Sequence, residues 1–340
     1  MARGSFPILF ITATNIGDAV LSSGLIKRLS DEIPNARFTV VAGPAAAPLF
    51  SFLPNLDEVI VFAKQKDGSH WFDLWRQVRK RRWGLVVDLR GSAISRLIST
   101  KRRAVHRKGA GEPIHKVMEA ARVLKIEDEP AAPYIYVSPE VEAYAADLTA
   151  GQGPILAMAP AANWVGKTWP LERFSRVAMR LLGSDGPMRG GRLMVLGGAG
   201  ERKVAQGLKD CVPRNRFVDL AGQVDLVTAY ACLQRARLFV GNDSGTMHLA
   251  AAAGAPTLGL FGPSDERKYA PWGPHARVVR GGHTFEEILA LDPGRNQAVC
   301  HMMDLSVDRV YAAALALLAE TEPARSPRLE RSHTAETPNG

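Results

Sequence analysis

The sequence predicts an α/β protein made of two successive units, each an open parallel sheet with helices packed on it. Short apolar runs of strand length alternate with helical patterns along most of the chain. The alternation breaks at a glycine-rich stretch, Thr149–Pro154 (TAGQGP), and then restarts. The length, 340 residues, exceeds one ordinary core and suits two domains of roughly 150 residues each. Hydrophobic residues at 46% and charged residues at 23% are ordinary for a globular chain, which excludes a fibrous or wholly disordered protein.

In the first unit, residues 1–150, Pro7–Thr12 (PILFIT) reads as a buried strand. Gly17–Leu29 reads as a helix, with Val20, Leu21, Gly24, Leu25 and Leu29 on one face. Further strands are expected at Phe38–Ala42, Val59–Phe62 and Leu85–Leu89, and helices at Trp71–Arg82 and Ile114–Leu124. The second unit, residues 151–320, opens with strands at Ile155–Ala159, Leu193–Leu196, Leu238–Val240 and Thr257–Phe261. Helices are expected at Leu171–Leu182, Arg202–Lys209, Leu226–Arg235, Gly245–Ala253 and Val307–Leu318. The segment 321–340 is rich in Pro, Ser, Thr and charge and is expected to be disordered.

The net charge of +9 is unevenly spread. From Arg76 to Lys108 there are 12 Lys or Arg and one acid, Asp88. That field attracts polyanions, whether a phosphorylated substrate or an anionic membrane surface. Within it, Trp71, Leu74, Trp75 and Val78 form an apolar stripe beside Arg76, Arg79, Lys80 and Arg82. Such a segment is either a solvated face or a helix lying on a membrane surface. No nucleic-acid motif accompanies the charge, so nucleic acid is not an expected partner. The run Ser244–Ser264 lacks Asp, Glu, Lys and Arg but contains two prolines and four glycines, so no spanning helix is expected. Phe6–Ile11 is too short for a signal-peptide core. Cys211, Cys232 and Cys300 make no C-x-x-C pair and are read as free thiols in the cytoplasm.

In open parallel sheets ligands bind at the C-terminal ends of strands, so the turns there carry the chemistry. The first is Thr12–Asp18 (TATNIGD). Gly17 permits a tight turn. Asp18 falls in the first helical turn, where the dipole favours an anion by about 0.3–1 kcal/mol. It is either a helix-end charge or a general base facing a cleft.

The second, Ala161–Thr168 (AANWVGKT), nearly matches the phosphate loop G-x-x-x-x-G-K-[ST], with Ala161 at the first glycine. Pro170 follows too soon for the usual helix, and the acid-ended strand Val86–Asp88 lies upstream rather than downstream. Lys167 is a cation for a diphosphate or a surface lysine. The third, Gly197–Glu201 (GGAGE), is a weak dinucleotide signal because Lys203 stands where the last glycine belongs.

Val240–His248 (VGNDSGTMH) is the strongest: a strand ends in acid, hydroxyl and glycine, and an alanine-rich helix follows. The amides of Ser244, Gly245 and Thr246 make an anion site at that helix start. His248 lies one turn on, beside Asp243 and Ser244 in sequence, and is a site residue or a core histidine. There is no Asp-x-Asp, no H-E-x-x-H and no cysteine cluster, so no dedicated metal site and no cofactor are expected.

IGDAVLSSGLIKRL, NWVGKTWPLERF and GNDSGTMHLAAAAGAPTLGLFGPSD, in that order, resemble glycosyltransferase family 9, the ADP-heptose:lipopolysaccharide heptosyltransferases. CHMMDLSVDRV is similar to the family's closing segment, and the resemblance runs from Ile8 to Leu318. It implies a GT-B fold: two Rossmann-like domains with parallel sheets facing across a cleft, the first for the acceptor and the second for the nucleotide-sugar. In the family pattern Asp18 matches the base. Asn163 and Lys167 match the diphosphate contacts, Glu201 a ribose contact and Val224 a position beside the adenine. Asp243, Ser244, Gly245 and His248 match the donor block. The family's last helix crosses back onto the first domain, and Val307–Leu318 is expected to do the same.

Two departures stand out. Thr12–Asn15 lacks the basic residue that many members carry before Ile-Gly-Asp, and Asn163 stands where some have a hydroxyl. Arg90, just after the strand ending in Asp88, is the acceptor-side candidate. The expected activity is metal-independent, inverting transfer of a sugar, heptose from ADP-heptose, to a phosphorylated, lipid-anchored lipopolysaccharide-core acceptor. It would take place in the cytoplasm, at the anionic inner face of the inner membrane. The rivals are a phosphate-loop nucleotide hydrolase built on AANWVGKT and a non-catalytic nucleotide- or polyanion-binding protein of the same fold.

Overall fold

The computed structural model describes residues 4–107, 113–294 and 298–321. The first half runs β1 (Phe6–Ile11), α1 (Ile16–Ser22), α2 (Gly24–Glu32), β2 (Ala36–Ala42), β3 (Leu56–Val61), α3 (Ser69–Val78), β4 (Trp83–Asp88), α4 (Ile94–Leu97), β5 (Thr100–Val105), α5 (Lys116–Leu124) and α6 (Pro139–Leu148). Its five strands pair in parallel in the order β3-β2-β1-β4-β5. The second half runs β6 (Ile155–Ala159), α7 (Leu171–Leu182), β7 (Arg192–Val195), α8 (Arg202–Gln206), β8 (Phe217–Asp219), α9 (Leu226–Leu233), β9 (Leu238–Asn242), α10 (Gly245–Ala252), β10 (Thr257–Phe261), α11 (Glu266–Tyr269), β11 (Ala276–Arg280), α12 (Phe285–Leu291) and α13 (Val307–Glu320). Six parallel strands there take the order β11-β10-β9-β6-β7-β8. Strand order reverses between β1 and β4 in one sheet and between β6 and β9 in the other. A doubly wound sheet opens its ligand crevice at such a switch point.

Alternate residues of each central strand enter different cores, as a pleated strand covered on both faces requires. Leu9, Ile11 and Val86 pack with Leu74, Val78 and Ile94 on the α3–α4 side. Ile8, Phe10, Phe38 and Val87 face the other way, into a cluster that also takes Ala157, Phe239, Met247 and Phe261 of the second half. One apolar cluster therefore joins the halves, with α1 packed on α10.

Several elements differ from expectation. The helix expected over Gly17–Leu29 is two helices broken at Ser23. Tyr134 N donates to Ser23 Oγ (2.9 Å), and a Cβ at Gly24 would stand 2.2 Å from Ala132 O, so a crossing strap interrupts it. β5 lies inside the basic segment and was not foreseen. It is an edge strand carrying exposed Lys101, Arg102 and Arg103, and charged edges hide the apolar run that marks a strand. α6, at the end of the first unit as read from sequence, packs on α9. The last helix does not follow the family expectation. α13 packs on α7 and against β9, β10 and β11, with Val310, Ala314 and Leu317 buried in the second half's core. Trp169 Nε1 and Arg173 both donate to Leu305 O just before it, and Arg180 pairs with Asp308 at 2.6 Å, which fastens α13 there. The tail beyond 321 lies outside the described residues. No helix among the described residues is long and apolar enough to cross a membrane.

Candidate active site

The turns after β1, β6, β7, β8, β9 and β10 meet in one cleft of about 1200 Å³. Gly17, Asp18, Asn163, Lys167, Glu201, Val224, Asp243, Ser244, Gly245 and His248 all line it. Arg90 does not line it; its guanidinium lies over the rings of Phe62 (4.7 Å) and Trp71 (4.9 Å).

α1 and α10 begin at the cleft and touch across it. Gly17 is helical and serves this close approach rather than a turn. A Cβ there would stand 3.0 Å from His248 Cδ2, and one at Gly245 would stand 2.8 Å from Ile16 Cγ2. Asp18 is in the first turn of α1, with Asn15 Nδ2 donating to its Oδ2 at a long 3.4 Å. Burial raises its pKa; Asn15 and Lys116 oppose the rise, while Glu119 and Asp243 add to it.

Opposite Asp18, the buried Asp243 directly follows β9. Its Oδ2 accepts from Lys167 Nζ (2.7 Å) and from Ser264 Oγ (2.6 Å). His248 Nε2 lies 3.9 Å from its Oδ1. Burial drives the His248 pKa down to about 4 against the pull of Asp243, and His115 and Lys167 reinforce the lowering, so the ring is neutral at pH 7. Lys167 ends a short 3-10 turn, and α7 starts only at Leu171. A phosphate loop would enter its helix directly, so this geometry removes the basis of the nucleotide-hydrolase reading. Glu201 Oε2 accepts from Gly198 N (2.7 Å) and closes the turn after β7.

Four buried side-chain polar atoms among the described residues have no partner, and three sit on cleft residues: Trp164 Nε1, Ser244 Oγ and His248 Nδ1. Buried polar groups are nearly always bonded, so this clustering marks where a polar ligand belongs. Among the described residues no group of three or more His, Cys, Asp or Glu has metal-site geometry.

Sequence reading missed Lys116, Ser264 and Tyr269, which also line the cleft. Ser264 follows β10 and was visible as a post-strand hydroxyl. Lys116 opens α5 behind a histidine N-cap, an uncommon start signal.

The sequence profile of glycosyltransferase family 9 (heptosyltransferase) matches residues 112–288, just over half the chain. The chain belongs to this family. It is 25% identical over 354 residues to lipopolysaccharide heptosyltransferase 2 of Escherichia coli, covering 93% of this chain and 99% of that one. A glycosyltransferase family 9 structure from Veillonella parvula superposes with a TM-score of 0.75 at 20% identity, over 94% of this chain and 99% of that one. The Escherichia coli heptosyltransferase WaaC with ADP-2-deoxy-2-fluoro heptose gives 0.66 at 17%, over 92% and 99%. The family member described here is thus a glycosyltransferase with the GT-B architecture of heptosyltransferases.

Proposed function

We propose that this glycosyltransferase moves a heptose from ADP-heptose to a lipopolysaccharide-core acceptor, with inversion and without a metal ion. One observation carries the reading: a half-buried carboxylate at the start of α1, Asp18, faces a lysine and the start of α10 across one cleft, with Gly17 in contact with His248. The acceptor hydroxyl attacks the anomeric carbon on the face opposite the leaving group. Asp18 takes the hydroxyl proton as the new C–O bond forms and the bond to the diphosphate oxygen breaks, releasing ADP. Such base help typically gives about 10²–10⁴-fold.

The leaving diphosphate lies at the α10 start, where the Ser244 and Gly245 amides are available, with Asn163 alongside. Lys167 supplies its positive charge while Asp243 holds it in place. Adenine sits by Val224 and the ribose by Glu201. The lipid-anchored acceptor draws the protein to an anionic membrane through the basic face of the first half, where Phe72 (58% exposed) and Leu97 (65%) project.

The test is incubation of the purified protein with ADP-heptose and a heptose-deficient lipopolysaccharide, with product read by mass spectrometry. Transfer should persist in EDTA. Asp18→Asn should retain ADP affinity and lose about 10²-fold or more in turnover. Turnover within threefold of wild type would remove Asp18 as the base, and no product would reject the donor or acceptor. Flotation with anionic and neutral vesicles checks the membrane contact.

A further inference from the structure

The reading of Asp18 as the base leaves a question of charge: what keeps a half-buried carboxylate ionised between two other carboxylates. We propose that Lys116 is a positioning residue for transfer: its ammonium, held by Glu119 on the helix packed beside α1, lies in the same cleft as Asp18 and supplies the positive charge that carboxylate needs to act as the base. The inference rests on the base role proposed for Asp18.

Lys116 is the first residue of α5, which packs on α1, and it lines the same cleft as Asp18. Its position is fixed from both sides. The N-cap His115 accepts from Val117 N at Nδ1 (3.2 Å) and donates from Nε2 to Ala270 O (2.9 Å), with its ring 4.7 Å from that of Trp272. The first turn of α5 is thereby tied to the second half of the molecule. Lys116 Nζ then donates to Glu119 Oε2 (2.5 Å), and Glu119 Oε1 lies 3.2 Å from His106 Nε2. The ammonium is 6.0 Å from the centre of the Tyr269 ring.

The groups around Asp18 come from both halves of the molecule. Asn15 stands just before α1, Lys116 and Glu119 come from α5, and Asp243 and His248 come from the second half, with Tyr269 beside them. His248 is neutral, and Lys167 is engaged by Asp243. Lys268 of α11 also lines the cleft; Lys116 is the cation whose charge opposes Glu119, Asp243 and the loss of water at Asp18. An opposing charge is needed there because a base that has lost its water is protonated before it can act. Glu119 serves two purposes: it orients the ammonium and, by its own charge, keeps the carboxylate basic enough to accept a proton.

The experiment compares wild type, Lys116→Met, Lys116→Arg and Glu119→Gln by the pH profile of kcat/KM, alongside ADP affinity by calorimetry and melting temperature. In Lys116→Met the acid limb should move to higher pH, with about a tenfold loss at low pH that is regained at high pH. Lys116→Arg should restore the wild-type profile, and Glu119→Gln should move the limb down. ADP affinity should stay within twofold throughout. An unmoved limb, or a loss uniform across pH, would overturn the inference. A second measurement needs no turnover: the side-chain carboxyl ¹³C titration of Asp18. Its midpoint should rise in Lys116→Met, and equal midpoints would overturn the inference. An inactive wild type with a moved midpoint would reject the proposed reaction and leave the pairing intact.

Discussion

The imidazole of His248 rests against the backbone of Gly17, so close that a single added carbon at position 17 would meet the ring at 3.0 Å. A residue of α10 thus sets how near the helix carrying Asp18 comes to the second half. Gly17→Ala is tolerated by the helical backbone but forces a shift at this seam. Overpacking of this kind costs about 1–3 kcal/mol. The expected outcome is a melting temperature lowered by a few degrees and a larger fall in turnover than in ADP affinity, read by calorimetry and a transfer assay.

Lys167 and Asp243 form a part-buried pair, and removing one partner strands the other. Lys167→Ala should destabilise the fold by about 2 kcal/mol and weaken ADP binding. Adding Asp243→Asn should recover stability but not ADP affinity. Recovery of both would mean that the lysine acts only through the aspartate.

His248 gives a pH dependence with a defined sign. Its pKa in the fold is about 4, below the ordinary 6.5, so at acid pH the unfolded chain binds a proton that the folded chain refuses. Stability from this group is full above pH 6.5 and declines as the pH falls toward 4, by about 3 kcal/mol at most. His248→Gln should flatten that part of the curve, measured by urea titrations at pH 7, 5.5 and 4.5.

Leu317 on α13 is fully buried among Val310 and Ala314. Leu317→Ala should cost about 2–4 kcal/mol in chemical denaturation. A cost below 1 kcal/mol would show that the last helix is not part of the second half's core.

Central strands and the post-strand motifs were legible because their signals are local. β6, β10 and α7 declare themselves by apolar runs and helical spacing, and the GNDSG turn by its chemistry. What escaped depends on distant partners. β5 is a strand because β4 offers it an edge, despite its charges. The α1–α2 break exists because residues 131–134 cross there. Arg90 looked like a cleft residue from its place after β4, yet it is drawn to Phe62 and Trp71, which no spacing rule reveals. Lys116 enters the cleft because His115 bonds to a carbonyl 155 residues away.

The docking of α6 on α9 bears on how this chain is dissected. A gene cut at residue 150 severs α6 from the surface it covers and leaves apolar α9 bare, so the released C-terminal fragment should aggregate on expression. A start codon placed just ahead of Ser138, the N-cap of α6, keeps that cover and yields the better candidate for an autonomously folding fragment.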